Sequence, residues 1–260
     1  MIKRIIIISS IILGVIAITF CVFKAIEINK LNKTFTYRFY DKDDPKDQSH
    51  IDIDSEISEK NILITGYKGY KKDIIIPSEI DGHKVTGIDR EAFANNFKIE
   101  SVTIPDEVKR IGSKAFLSCK SLSIVKLPDE LVEIGPGVFK LCISIKNIEL
   151  PSSLQYIKSD AFRFRSLKEI DIPDNVDFIS SGAFSNCTEL EKVKLPQGLK
   201  TISDYTFYEN KKLKNINVSQ GLTYIGEYAF NSCESLENFN LPQSVEFIRE
   251  FAFAGCDSIK

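Results

Sequence analysis

A phenylalanine returns along this chain at a fixed step, and that return restricts the fold to architectures built by restating one unit. Phe93, Phe116, Phe139, Phe162, Phe184, Phe207, Phe230 and Phe253 follow one another at intervals of 23 residues, with one interval of 22 between Phe162 and Phe184. Proline keeps the same step at Pro105, Pro128, Pro151, Pro173, Pro196 and Pro242, with Ser219 standing in once. Self-similarity at this period marks a solenoid, because each unit can bury its apolar face only against its neighbours.

One unit reads Leu122-x-x-Val125-x-Leu127-Pro128-x-x-Leu131-x-x-Ile134-Gly135-x-x-x-Phe139-x-x-Cys142. Its Val-x-Leu step has strand period: Val125 and Leu127 point one way and Lys126 the other. The same strand is expected at Val102/Ile104, Ile148/Leu150, Ile170/Ile172, Val193/Leu195, Ile216/Val218 and Phe239/Leu241, and stacking these coils predicts a parallel sheet. Proline ends each strand because it lacks the N–H a ladder needs. A second apolar pair follows, Leu131 and Ile134 here, and Ala-Phe pairs such as Ala115-Phe116 and Ala229-Phe230 are expected on a short helical or 3₁₀ turn whose ring fills the coil. The predicted class is an α/β repeat: a solenoid of about eight 23-residue coils with a parallel β-sheet face.

Cys119, Cys142, Cys187, Cys233 and Cys256 each lie three residues before the leading Leu or Ile of the next unit, where Asn96 and Asn210 stand in other coils. This is a column rather than a disulfide framework, since parallel side chains of successive coils do not converge as a disulfide requires. Buried, inert thiols acting as small apolar residues are expected, and no paired Cys-x-x-Cys suggests a metal. In the short interval, counting back from Leu167 puts Phe164 in the cysteine position and sends Arg163 and Arg165 outward. A buried, unpaired arginine would be far more costly.

The repeat as a whole closely resembles that of the BspA-like leucine-rich-repeat family. The opening Ile64-Thr65-Gly66-Tyr67-x-Gly69, followed by Ile76-Pro77, Ile80-Asp81-Gly82 and Val85, is similar to that family's first coil. The resemblance covers about residues 61–260 and implies a curved leucine-rich-repeat solenoid with a strand-lined face. It also implies the surface or secreted setting, and the adhesive contacts with host or matrix, found among its members. Fold transfers across such a family better than ligand does.

Ahead of the repeats, after Lys3 and Arg4, an uncharged run extends from Ile5 to Phe23, roughly 28 Å if helical and close to the thickness of a bilayer core. An uncleaved transmembrane signal anchor is expected over residues 1–24, in preference to a cleaved signal or a lipid anchor at Cys21, which follows the bulky Phe20. Positive charge before the run places the repeats outside the cell, although Lys24, Lys30 and Lys33 stand on the far side. Residues 25–60 read as a polar juxtamembrane spacer and cap region carrying the strand-like Phe35, Tyr37 and Phe39, and residues 61–260 as the solenoid. Within the spacer, residues 41–50 fail as a calcium loop because Pro45 and Lys46 fall where a ligand and the glycine should be. The chain stops mid-unit at Lys260, and the readings open are that the last coil frays, that it packs on a partner, or that the chain is a shortened form of a longer protein.

Catalysis has no visible carrier. The chain has two histidines, His50 and His83, no tryptophan, no nucleophile elbow and no phosphate-cradling glycine loop. With 34 basic against 36 acidic residues it offers no broad basic field to nucleic acid. No cofactor or metal is expected. What remains is the outward face of the strands, read as two rows: Lys126, Glu149, Asp171, Lys194, Asn217 and Asn240, flanked by Glu169, Lys192, Asn215 and Asn238. Stacked, these give an acidic patch, a pair of lysines and then four asparagines, a rigid polar surface for a protein or glycan ligand. The function expected is adhesin-like binding by a membrane-anchored surface protein. The alternative is a structural scaffold of the cell envelope.

Overall fold

The computed structural model describes residues 33–41, 60–163, 166–237 and 239–259. It is a stack of coils with three walls, two of them parallel ladders. The first wall holds the Val-x-Leu strands, in two groups: Asp73–Ile75, Ser101–Thr103 and Ile124–Lys126, then Glu169–Asp171, Lys192–Lys194 and Asn215–Asn217. The second wall is longer than the sequence leads one to expect. The Leu-x-x-Ile segment also forms strands, pairing in the order His83–Ile88, Arg110–Ile111, Glu133–Ile134, Tyr156–Ile157 and Phe178–Ile179, with Thr201–Ile202, Tyr224–Ile225 and Phe247–Ile248 as a separate group.

The third wall corrects the expected helical turn. Among the described residues there is no helix, so the architecture is a β-solenoid of about eight coils rather than an α/β repeat. The cause is a left-handed residue on either side of each phenylalanine. Two positions before it, Glu91, Lys114, Gly137, Asp160, Gly182, Tyr205, Tyr228 and Phe251 all have positive φ, and two positions after it Asn95, Ser118, Leu141, Asn186, Glu209, Ser232 and Gly255 do too. Alternating left-handed residues cannot propagate a right-handed helix. They alternate the N–H directions instead: Ala115 and Leu117 bond within their own turn, to Gly112 and Lys114, while Lys114, Phe116 and Ser118 bond forward to the carbonyls of Pro136, Val138 and Lys140. Every coil is thereby tied to the next through its turns as well as its strands.

Inside, Phe116, Phe139, Phe162, Phe184, Phe207 and Phe230 are fully buried. Their rings stack from Phe93 to Phe253, with neighbouring centroids between 4.9 and 5.7 Å apart. This spine explains the invariance of the phenylalanine step: a different side chain would leave both neighbours short of a contact. At the N-terminal end, Phe35–Phe39 pairs antiparallel with Ile62–Tyr67, which in turn pairs parallel with His83–Ile88. Arg38 anchors the added strand through Asp89 at 2.6 Å.

The expected anchor at residues 1–24 lies outside the described residues, as do residues 25–32 and 42–59 of the polar spacer and Phe164 and Arg165. Among the described residues no helix is long and apolar enough to cross a membrane. Arg163 does turn outward, 3.6 Å from Asp160.

Candidate functional site

The cysteine column does more than fill space. Cys119, Cys142, Cys187, Cys233 and Cys256 donate to the carbonyls of Phe93, Phe116, Phe162, Phe207 and Phe230, one coil back, at 3.0–3.2 Å. Asn210 makes the same bond through Nδ2 to Phe184 at 3.1 Å. Cysteine and asparagine share a column because both put a small side chain with a donor at its tip under a backbone carbonyl. The thiols are free, and burial pushes Cys119 up to about 12 and Cys142 higher still. These two are protonated and unreactive at neutral pH, whereas the hydrogen bond with Cys233 lowers the half-buried Cys256 thiol. Among the described residues no group of His, Cys, Asp or Glu could hold a metal ion.

Chemistry of recognition is left to the outward faces. On the first wall, the register places Glu169, Lys192 and Asn215 in one row and Asp171, Lys194 and Asn217 in the next, with Ile170, Val193 and Ile216 turned into the core between them. Six of the expected face residues thus form a grid of two rows by three coils. Its charges partly pair among themselves, since Lys194 Nζ lies 3.2 Å from Asp171 Oδ1. Lys192, Lys194, Asn215, Asn217 and Asn240 border a hollow of about 430 Å³ floored by Val193, Ile216 and Val218. Asn238 lies outside the described residues. Residues 239–241, where a further strand is expected, form none.

The other correction falls in the middle of the face. Ile148 and Leu150 are also expected in a strand, yet 147–149 pairs with neither flanking coil, and the wall is split there. In the intact part of the ladder, the Ile124 N–H bonds to Glu100 O at 3.2 Å and the Ile104 N–H to Lys126 O at 3.0 Å. Ile124 and Lys126 therefore turn their backbone groups toward the Ser101–Thr103 strand, and by the alternation of a ladder those of Val125 turn toward Asn147 and Glu149. Among the described residues no backbone hydrogen bond joins 123–127 to 146–150. Between them opens a cleft of about 690 Å³. Lys126 and Glu149, the remaining two expected face residues, stand on its opposite lips. Val125, whose counterparts Val102 and Val193 are buried at 1% and 2%, is only half-buried. Ile124 at the mouth is 65% exposed.

The opening is one-sided. Behind it the second wall stays paired, Glu133 with Tyr156 and Ile134 with Ile157. The turns also stay bonded, Gly137 to Ser159 at 2.8 Å, Phe139 to Ala161 at 2.9 Å and Leu141 to Arg163 at 3.1 Å. The two coils are splayed like a wedge about an intact back.

A second surface feature escapes the sequence reading. Tyr205, Tyr228 and Phe251 occupy the left-handed position of three successive turns and stack outside the core with centroids 5.0 Å apart. The signal was present as a column two residues before the phenylalanine spine, filled elsewhere by Glu91, Lys114, Gly137, Asp160 and Gly182.

Comparison with known proteins bears on the fold and the family. The model for the BspA type leucine-rich repeat region matches residues 86–187 and 158–260, in six copies. Among solved structures, a leucine-rich repeat protein of T. pallidum is 32% identical with a TM-score of 0.69, over 79% of this chain and 89% of that one. A leucine-rich repeat protein of Bacteroides ovatus is 30% identical with a TM-score of 0.70, over 82% of this chain. The present chain spans 53% of its length. No curated protein matches.

Proposed function

We propose, from the premise that this chain belongs to the BspA-type leucine-rich repeat family, that it is a non-catalytic binding module working through the outward face of its first wall. The observation that carries this reading is the grid itself. Two rows of exposed charged and amide side chains are held at strand spacing on a backbone fixed by three walls of inter-coil bonds. A preorganised polar surface loses little freedom on binding, which favours recognition of a protein or glycan. Lys126, Glu149, Glu169, Asp171, Lys192, Lys194, Asn215, Asn217, Asn238 and Asn240 are the contact residues proposed.

The setting proposed is the outer side of a cell membrane, with residues 1–24 as the anchor. Protease shaving of intact cells, with blotting for the repeats and for a tag placed before Lys3, tests it. Loss of the repeats with a protected tag is expected. Repeats that survive while a lysed control is digested would refute the surface setting and leave the envelope scaffold as the better reading. For the face, replacing Glu149, Glu169 and Asp171 together by alanine should weaken capture of a cell-surface ligand at least tenfold, and unchanged capture would exclude this face.

A further inference from the structure

We infer that the wedge between Ile124–Lys126 and residues 147–149 is a receptor for an extended peptide segment, which enters as an added strand and bonds to the backbone of Val125. The inference rests on the binding-module reading and names the site and the chemistry of its partner.

Four neighbouring pairs on this wall show what the sequence pattern normally does: Asp73–Ile75 with Ser101–Thr103, the latter with Ile124–Lys126, and Lys192–Lys194 with both Glu169–Asp171 and Asn215–Asn217. Asn147-Ile148-Glu149-Leu150 carries the same alternation and makes none of these bonds. The Val125 N–H and C=O therefore face the cleft with no backbone partner among the described residues. Unpaired strand edges are templates for another strand, and peptide recognition by strand addition takes its affinity from these main-chain bonds and its specificity from alternate side chains. The cleft supplies both. Its 690 Å³ lies within the range of about 300–1,000 Å³ usual for ligand sites. Half-buried Val125 and Leu150 can take an apolar side chain, while Lys126 and Glu149 on the two lips suit polar ones of either sign. The N–H and C=O of Val125 point to the same side, and an extended peptide carries the matching C=O and N–H at ladder spacing.

Backbone amide exchange on the full chain tests the inference. In the free protein the Val125 amide should exchange about 100-fold or more faster than those of Val102 and Val193, which are held in ladders. The probe is a capped decapeptide with the sequence of residues 98–107, which already pairs with the other edge of Ile124–Lys126. Saturating peptide should slow Val125 exchange at least tenfold, and the same peptide N-methylated at its serine and threonine should bind at least tenfold more weakly. Val125 protection equal to that of Val102 without peptide would mean that the wedge is closed in solution, and the inference would fall. It would fall equally if an open wedge took no peptide, or if protection rose with protein concentration alone, which would make a second copy the occupant. None of these outcomes touches the alanine test of the acidic face residues, so the two readings can fail separately.

Discussion

Replacing Asn210 with cysteine should stabilise the protein, although it removes an amide from a fully buried position. Asn210 is 0% exposed, gives its Nδ2 to Phe184 O at 3.1 Å, and holds an Oδ1 with no hydrogen-bond partner among the described residues. An orphaned buried acceptor costs about 1–3 kcal/mol, and a neutral hydrogen bond returns a net of about 0.5–1.5 kcal/mol. Cysteine keeps a donor under the same carbonyl, as Cys187 and Cys233 do on either side, and brings no orphan. Its weaker thiol bond gives up half of the amide's contribution, about 0.5 kcal/mol, so a net gain of about 1 kcal/mol is expected. Alanine at the same position loses the donor and leaves a void, for a loss of about 2 kcal/mol. Urea unfolding of the full chain, with equal slopes required for the comparison, reads both shifts. Asn210→Cys destabilised by about 1 kcal/mol or more, the size of one hydrogen bond, would show that Oδ1 is already satisfied and would refute the account of the column.

Three further outcomes follow from the same walls. Phe139→Ala, in the middle of the stack at 5.6 Å from both neighbouring rings, should cost about 3–5 kcal/mol, whereas Phe253→Ala, half-buried at the end of the described stack, should cost less than half of that by the same urea assay. Lys114→Gly should raise stability by about 0.5–1 kcal/mol, because Lys114 sits at φ 58° and the left-handed conformation costs a non-glycine residue about 1–2 kcal/mol, partly offset by glycine's greater freedom when unfolded. Burial raises the folded Cys119 thiol from its ordinary 9.0 to about 12, so its contribution to stability is fully present below pH 9 and is lost as pH rises through that window. Thermal melts between these limits should fall with pH, and Cys119→Ala should flatten the slope.

The sequence carries some of these features openly and hides others for identifiable reasons. The grid residues are legible because a three-residue strand with Ile170, Val193 or Ile216 at its centre shows period 2 directly. The second wall is not, because Arg110–Ile111 or Tyr156–Ile157 is two residues long and alternation needs more. The turn wall reads as a helical or 3₁₀ turn on the strength of Ala-Phe alone. The better sign lay on either side, where Gly137, Gly182, Asn95, Asn186, Asp160 and Gly255 are residue types that tolerate positive φ, diluted by Lys114, Leu141 and Tyr205. The split at 147–149 left no sign at all, since Asn147-Ile148-Glu149-Leu150 has the pattern of its paired counterparts and the difference lies in the spacing of coils.

That spacing is where a repeat fold can afford to be irregular. A solenoid is held by nearest-neighbour contacts, so parting two coils along their whole perimeter would divide the molecule into two stacks. Here only one wall of three is parted. The Glu133–Tyr156 and Ile134–Ile157 pairs, the forward bonds of Gly137, Phe139 and Leu141, and the Phe139–Phe162 ring contact all bridge the same two coils. The backbone groups of Val125 can therefore stay open without uncoupling the halves. An added strand would extend the Asp73–Lys126 ladder toward residues 147–149, whose alternate backbone groups border the same gap. Occupancy of the wedge would then order both of its lips, so that a peptide seated at Val125 should slow amide exchange at Asn147 and Glu149 as well and leave Ile170, already paired with the Lys192–Lys194 strand, unchanged.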